Sequence, residues 1–294
     1  MANMRAIRSR IKSVQNTQQI TKTMKMVAAA NLRRTQSGMS GMRAFAEQTQ
    51  AMLDTLLSGG VTFDAPLLTP RKEVKRICYV LLVGNRGLCG TYNSALLRFL
   101  QQTLDAETRE ATVLVYGRWG RDLMKQMNLP IARVYQEVSD TPTMDHALAL
   151  AEELKRMYLS GEADEVHFIY QHFRSILAQE PTDLLLLPAA AHSAGGEAHD
   201  YLFEPDRAAI LDNLLQLYVN NTVYSTLLEA KVGEHASRMT AMSAATDSTA
   251  ELIGTLKLHL NRARQAAITT EISEIVGGAN ALKKKTSKKP PHIS

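Results

Sequence analysis

The chain has 294 residues, of which 45% are hydrophobic and 21% charged, and it contains two cysteines. This composition is ordinary for a globular protein of one or two domains; it excludes a disulfide-rich scaffold and favours a reducing compartment. No stretch has the 18 or more consecutive apolar residues of a membrane-spanning helix. The net charge of +5 is unevenly distributed, because residues 1–46 carry nine basic side chains and no acidic one, and residues 257–294 carry eight basic and two acidic ones. Basic ends around an acidic middle indicate an acidic partner, which could be nucleic acid, an anionic membrane surface or an acidic protein surface.

Residues 1–60 predict one long helix. The segment has no proline, and a narrow apolar seam is formed by Ile7, Ile11, Val14, Thr17, Ile20, Met24 and Val27. A seam of two residues in seven is typical of a two-stranded coiled coil. The polar face lacks carboxylates, as mitochondrial presequences do, but the pattern continues past residue 50, which is too long for a leader. We expect the helix to end at the glycines 59 and 60.

Residues 72–190 predict a Rossmann-like α/β domain. Apolar, β-branched runs alternate here with helical patterns, and such alternation is typical of a mainly parallel sheet covered by helices. The predicted strands are 74–83, 112–116, 131–138, 165–170 and 177–187, the last of them antiparallel, and the predicted helices are 93–104, 118–127 and 144–159.

Residues 206–282 predict a second long helix. No proline occurs between Pro205 and Pro290, and Asp206 is a suitable N-cap. At 1.5 Å per residue, the helix would be about 110 Å long, so its own chain cannot cover all of it and a partner is expected. The basic tail, residues 283–294, has no periodicity and is predicted to be disordered.

The glycine-rich segment 84–90, between a predicted strand and helix, is a candidate phosphate-binding loop. Its spacing is GxxGxxG, and it lacks the lysine of a P-loop, so a structural turn is the favoured interpretation and nucleotide binding the alternative. Cys89 begins a helix and is a candidate nucleophile, but a packed small side chain is favoured. The histidines lack the spacing of metal ligands. We therefore predict no catalytic residue, cofactor or metal site.

A nucleic-acid-binding coiled coil is a further hypothesis, because Arg5, Arg8, Arg10 and Lys12 cluster near the start of the chain. Aromatic residues that would stack on bases are missing from the first 44 positions, and no known nucleic-acid-binding motif is present. This hypothesis is therefore not favoured.

Three regions resemble the gamma subunit of the rotary ATP synthase. They are IRSRIKSVQNTQQITKTMKMVAAANLRR near the start, RGLCG in the middle, and RMTAMSAATD with NRARQAAITTEISEIVGGANAL near the end. The resemblance implies an antiparallel coiled-coil shaft inside a ring of three alpha and three beta subunits, and an α/β foot on the epsilon subunit and the membrane c-ring. It implies a rotor that is not catalytic by itself, peripheral to the cytoplasmic face of a bacterial inner membrane.

The resemblance also implies partner contacts for seven residues, which are Met24, Lys25, Arg264, Gln265 and Thr269 against the beta subunit and Tyr201 and Glu204 against the c-ring and epsilon. The chain departs from the common family pattern at Asn31 and Leu32 and in its lysine-rich tail. It lacks the cysteine-bearing insertion of chloroplast relatives, so redox switching is not expected. The coupling ion, H⁺ or Na⁺, is a property of another subunit.

Overall fold

The computed structural model describes residues 2–57, 65–120, 124, 131–135, 139–189 and 207–286. Along the chain, two long helices flank an α/β region, as the sequence predicts. The elements in chain order are α1 (Ala2–Leu57), β1 (Arg76–Leu82), α2 (Tyr92–Ala106), β2 (Glu110–Tyr116), β3 (Arg133–Tyr135), α3 (Met144–Ser160), β4 (Glu165–Phe173), β5 (Gln179–Leu187) and α4 (Arg207–Thr286). Among the described residues, no helix has the length and apolarity needed to cross a bilayer.

The five described strands form one sheet in the order β3-β2-β1-β4-β5. The first four are parallel to one another, and β5 pairs antiparallel with β4, as predicted. The predicted helix over 118–127 is observed at residues 118–120 and 124, and the predicted strand over 131–138 at 133–135. Their other positions lie outside the described residues, except 131 and 132, which precede β3.

Both faces of the sheet are buried, because helices cover each of them. Alternate residues of β1 point to opposite sides: Cys78, Val80 and Leu82 belong to a cluster with α3 and α4, whereas Ile77 and Leu81 belong to a cluster with α2. A parallel sheet with two buried faces explains the continuous apolar character of the strand sequences.

The chain forms two compact units, residues 24–242 and the pair of segments 1–23 and 243–294. Within the first unit, Leu53 of α1 clusters with Leu211 of α4, and Leu32 clusters with Val232. Higher residue numbers on α1 therefore contact lower residue numbers on α4, so the two helices pack antiparallel.

In the second unit, residues 2–23 of α1 and 243–286 of α4 also form an antiparallel helix pair. The Thr246 hydroxyl donates to the Thr21 hydroxyl at 2.9 Å, and Ile7 shares a groove with Leu256 and Ala263. Here too, higher residue numbers on α1 contact lower residue numbers on α4.

The predicted seam of α1 is wrong at Thr17, Ile20 and Val27, which are exposed, whereas Met24 is half-buried. Ile20 and Val27 are 59% and 56% exposed. Thr21, Ala28, Thr35 and Thr49, which are spaced at multiples of seven residues, are buried instead, and Leu32, Leu53 and Leu56 are buried beside them. The three threonines tolerate burial because each hydroxyl donates to a carbonyl three or four residues earlier in the same helix, so no polar group is left unpaired. Small and hydroxyl side chains thus share the buried side of α1 with leucines that the predicted seam did not include.

Candidate functional site

The glycine segment 84–90 makes a tight turn from β1 to α2. Leu88 and Gly90 have φ values of 62° and 59°, in the left-handed region. The buried Asn93, in the first turn of α2, fixes the turn: its Oδ1 accepts the Gly84 N–H at 2.9 Å and its Nδ2 donates to the Arg86 carbonyl at 3.5 Å. The conformation of the segment is therefore set by its own side-chain and backbone contacts.

Helix α4 lies against this segment at its first glycine. A Cβ on Gly84 would be 2.9 Å from the carboxyl carbon of Glu234, so a larger residue there would displace the Glu234 side chain. Arg238 of α4 donates to the carbonyl oxygens of Arg86 at 3.2 Å and Gly87 at 3.5 Å. Helix α4 thus covers the segment and takes up two of its carbonyl oxygens, and these contacts support the structural turn over nucleotide binding.

Glu234 is 2% exposed and is ionised between two cations. Its Oε2 accepts from Lys231 Nζ and its Oε1 from Arg238 Nη2, both at 2.7 Å. Burial raises the pKa of Glu234, but the charges and hydrogen bonds of Lys231 and Arg238 outweigh burial and lower this pKa to about 2. The three side chains are therefore a buried, charged network on one face of α4.

His235 lies next to this network. Its Nε2 is 2.9 Å from the Asp140 carbonyl oxygen, which requires the Nε2–H tautomer, and its buried Nδ1 has no hydrogen-bond partner among the described residues. Burial lowers the pKa of His235 because it disfavours the charged ring. The Asp140 carboxylate pairs with Arg86, so the segment around Asp140 is tied both to α4 and to the glycine segment.

The two cysteines are buried small side chains. Burial raises the pKa of Cys89, and it raises the pKa of Cys78 to about 12. A thiol that stays protonated at neutral pH is a poor nucleophile, so the packed interpretation of Cys89 is favoured. In the described part of the chain, no group of three or more His, Cys, Asp or Glu side chains could hold a metal ion.

The predicted beta-contact residues fall on the two long helices. Met24 is half-buried and Lys25 exposed on α1, whereas Arg264, Gln265 and Thr269 are exposed on α4. Thr269 lies one helical turn after Gln265, and its hydroxyl donates to the Gln265 carbonyl at 3.0 Å. The α4 residues thus form one surface within the unit of residues 1–23 and 243–294. Met24 and Lys25 belong to the other unit. The predicted foot contacts, Tyr201 and Glu204, lie outside the described residues.

An open groove of about 620 Å³ lies between α1 and α4 in the unit of residues 1–23 and 243–294. Its apolar floor includes Ile7 and Leu256, and basic side chains border it: Arg10, His259 and Arg262. The exposed isoleucines Ile268, Ile272 and Ile275 follow on α4. Cationic and apolar surface on one helix pair is typical of a surface that an acidic protein partner covers.

Comparison with known proteins identifies the family. The family described as ATP synthase matches residues 3–282. The ATP synthase gamma chain of Desulfitobacterium hafniense is 44% identical over 96% of this chain and all of the relative, and that of Moorella thermoacetica has the same identity and coverage. The chain belongs to the ATP synthase gamma-chain family. The family match ends at residue 282, where the lysine-rich tail begins.

Solved structures agree with the family at the level of the fold. A chain of the Euglena gracilis mitochondrial ATP synthase assembly of OSCP, F1 and c-ring has a TM-score of 0.70 and 18% identity, with 100% of this chain and 99% of that chain covered. A chain of the Tetrahymena thermophila central stalk and c-ring has a TM-score of 0.55 and 23% identity, over 77% and 99% of the two chains. The chain therefore shares its fold, with long helices and a mainly parallel sheet, with these chains.

Proposed function

We propose that this chain is the central-stalk rotor subunit of a rotary ATP synthase. Rotation of a membrane c-ring would turn it, and the turning would drive the catalytic sites of the beta subunits through their conformational changes. The observation that carries this proposal is the 44% identity over 96% of the chain with a protein named ATP synthase gamma chain. The chain itself would bind the ring and not the nucleotide, since the glycine segment is held by α4.

The surface of the helix pair supports a rotating contact. A rotor cannot pack with a fixed apolar face against a ring, because each strong contact would be a stable stopping point. The three α4 residues of the predicted contact, Arg264, Gln265 and Thr269, are polar and exposed. Three identical beta subunits can be driven into different states only if the rotor makes different contacts with each of them. A pair of helices that presents unlike faces in different directions supplies such contacts.

The proposed partners are a ring of three alpha and three beta subunits, the epsilon subunit and the c-ring. The basic groove beside Arg10 and Arg262 would meet acidic surface of the ring, and Met24 with Lys25 would meet the acidic loop of a beta subunit. Tyr201 and Glu204 would belong to the foot surface at the c-ring and epsilon. The chain would then be peripheral, on the cytoplasmic face of a bacterial inner membrane.

A double substitution tests the role of the α4 surface. Arg264→Ala with Gln265→Ala should weaken assembly or coupling, because each lost hydrogen bond to a charged group is worth roughly 1.5–3 kcal/mol. The control is Arg98→Ala with Gln102→Ala, which removes the same two side-chain types from exposed positions of α2. ATP synthesis per assembled complex should fall for the α4 pair and stay at the wild-type level for the control. Equal rates of ATP synthesis by the α4 double variant and the control would contradict the role assigned to Arg264 and Gln265.

The isolated chain tests the nucleotide-enzyme alternative. Titration of the purified chain with ATP or NAD should show no binding and no hydrolysis. Nucleotide binding that is lost on substitution of Gly87 would favour an α/β enzyme instead.

A further inference from the structure

Residues 230–238 of α4 contact the α/β region on several sides of the helix. We call these residues, together with the residues that they contact, the α4 collar. On the side of the glycine segment, Glu234 contacts Gly84, and Arg238 bonds the carbonyls of Arg86 and Gly87. On another side, His235 bonds the Asp140 carbonyl.

The remaining collar contacts reach α2 and β5. The Tyr92 hydroxyl donates to the Ala230 carbonyl at 2.7 Å, and the Ser237 hydroxyl donates to Gln179 Oε1 at 3.1 Å. Gly233 permits the close approach, because a Cβ there would be 3.2 Å from Gln179 Oε1 and 3.3 Å from Tyr92 Cε2. At 3.6 residues per turn, the collar positions from 230 to 238 are spread over roughly 200° of the helix circumference. Four separate parts of the α/β region therefore hold more than half of the helix circumference.

The collar differs in kind from the preceding contacts of α4. Between Leu211 and Leu227, buried leucines and valines make most of the contacts of α4, and Lys155 Nζ adds a hydrogen bond to Gln216. Just before the collar, the Glu229 carboxylate accepts the Phe173 N–H at 2.9 Å. Apolar contact has no preferred direction, so a helix held in this way can turn a little about its axis at small cost. Hydrogen bonds and ion pairs weaken steeply when their angles change, so the collar resists the same turn.

We propose that the α4 collar, with the buried charges of Lys231, Glu234 and Arg238 at its centre, is a torsional lock that fixes the rotational setting of α4 in the α/β region and transmits torque between them. The inference rests on the proposed rotor function, since only a rotor carries torque along this helix. Glu234 is the positioning residue of the collar, because its carboxylate accepts hydrogen bonds from Lys231 and Arg238 and packs against Gly84.

The experiment uses the assembled complex with its ring fixed and a rod attached to the α/β region of this chain. The angular fluctuations of the rod at rest measure torsional stiffness. Glu234→Gln should increase the angular variance on the order of twofold, because fewer directional bonds oppose rotation of α4. Ser237→Ala, which leaves every buried charge in place, should increase it less. Asp164→Asn is the control: Asp164 accepts the Lys75 and Arg76 N–H groups away from the collar, so its loss weakens the sheet region without touching α4.

A covalent link across the same contact separates torsion from stability. A Cβ on Gly90 would be 3.8 Å from the Ala241 Cβ, which is the mean Cβ–Cβ distance of a disulfide. In a Cys89→Ala background, Glu234→Gln with Gly90→Cys and Ala241→Cys should be stiffer when oxidised than when reduced. Gly90 has φ +59°, so a cysteine there strains the backbone, and the reduced form of the same variant, which carries the same strain, is the reference. If the Glu234→Gln complex does not assemble, the stiffness is measured for Ser237→Ala and for the disulfide variant that keeps Glu234. Ser237→Ala should then be less stiff than wild type, and the disulfide variant should be stiffer when oxidised than when reduced.

The outcomes distinguish the lock from the rotor function. A wild-type complex in which this chain does not rotate would overturn the proposed function. A rotating wild-type complex whose stiffness is unaffected by Glu234→Gln, Ser237→Ala and the disulfide, or is lowered equally by Asp164→Asn, would overturn the lock alone.

Discussion

Replacing Glu234 by glutamine should cost the α/β region about 3 kcal/mol of unfolding free energy at neutral pH. The pKa of the carboxyl falls from an ordinary value of 4.5 to about 2 in the folded chain, and each pKa unit corresponds to roughly 1.4 kcal/mol of preference for the charged form. Glutamine imitates the neutral acid, so this preference is lost. Removal of one partner of a buried ion pair typically costs about 3–5 kcal/mol, which gives the same magnitude by another route.

Urea unfolding followed by Trp119 fluorescence measures this cost. Trp119 is the one tryptophan of the chain, and its backbone N–H donates to the Gly84 carbonyl at 3.2 Å, so it reports on the region that Glu234 contacts. Glu162→Gln is the matched control, because Glu162 pairs with Arg156 at the surface, where an ion pair adds little to stability. A loss for Glu234→Gln no larger than that of the control would refute the reasoning.

The pH dependence follows from the sign of the same shift. A carboxyl whose folded pKa is lowered stabilises the fold above its unfolded pKa, here near 4.5, and this contribution disappears as the pH falls toward 2. The difference between wild type and Glu234→Gln should therefore be complete at pH 7 and shrink only below pH 4.5.

Three further outcomes are expected. The lowered pKa of His235 means that the folded chain favours the neutral ring, so wild type should lose stability relative to His235→Gln as the pH falls below 6.5 in the same urea assay. Gly117→Ala should destabilise by more than about 2 kcal/mol, since Gly117 has φ +131° and an added Cβ would be 2.1 Å from the Val83 carbonyl oxygen, whereas Gly41→Ala, in an open helical position, should stabilise by roughly 0.5–1 kcal/mol. Cys89 should react with a thiol reagent at pH 7 only as fast as the chain opens, and rapid reaction of the folded protein would contradict its burial.

The sequence predicted the α/β region well because its signals are local. The change from a helical period to short β-branched runs locates β1, and the resumption of the helical period locates α2. The antiparallel β5 was recognised from its apolar run after the last helix of the alternation. These elements depend on patterns within about ten residues, which the sequence displays directly.

The seam of α1 was predicted wrongly because hydrophobicity was its only guide. Ile20 and Val27 are the more apolar residues, but Thr21 and Ala28 are the smaller ones, and close approach of two helices favours small side chains whose hydroxyls bond their own helix. A spacing of seven residues from Thr21 to Ala28 and Thr35 was the signal that could have corrected it.

The collar was not predicted because its partners are distant in sequence. Lys231, Glu234 and Arg238 look like an ordinary exposed stripe on a helix, since charged residues are rarely fully buried unless paired. The available signal was Gly233, because a glycine inside a long helix often marks close packing against another element. The roles of Met24, Lys25, Arg264, Gln265 and Thr269 stay predictions, because they depend on partner chains, as do those of Tyr201 and Glu204.

The most direct test of the rotor function is to observe this chain turning in the assembled complex. The chain is expressed with the alpha, beta and epsilon subunits of the same organism, the ring is fixed to a surface, and a rod is attached through Arg98→Cys on the exposed side of α2. With ATP, the rod should turn in one direction with three pauses per turn, one for each beta subunit. A chain that does not co-purify with the ring, or a rod that stays still while the complex hydrolyses ATP, would contradict the account.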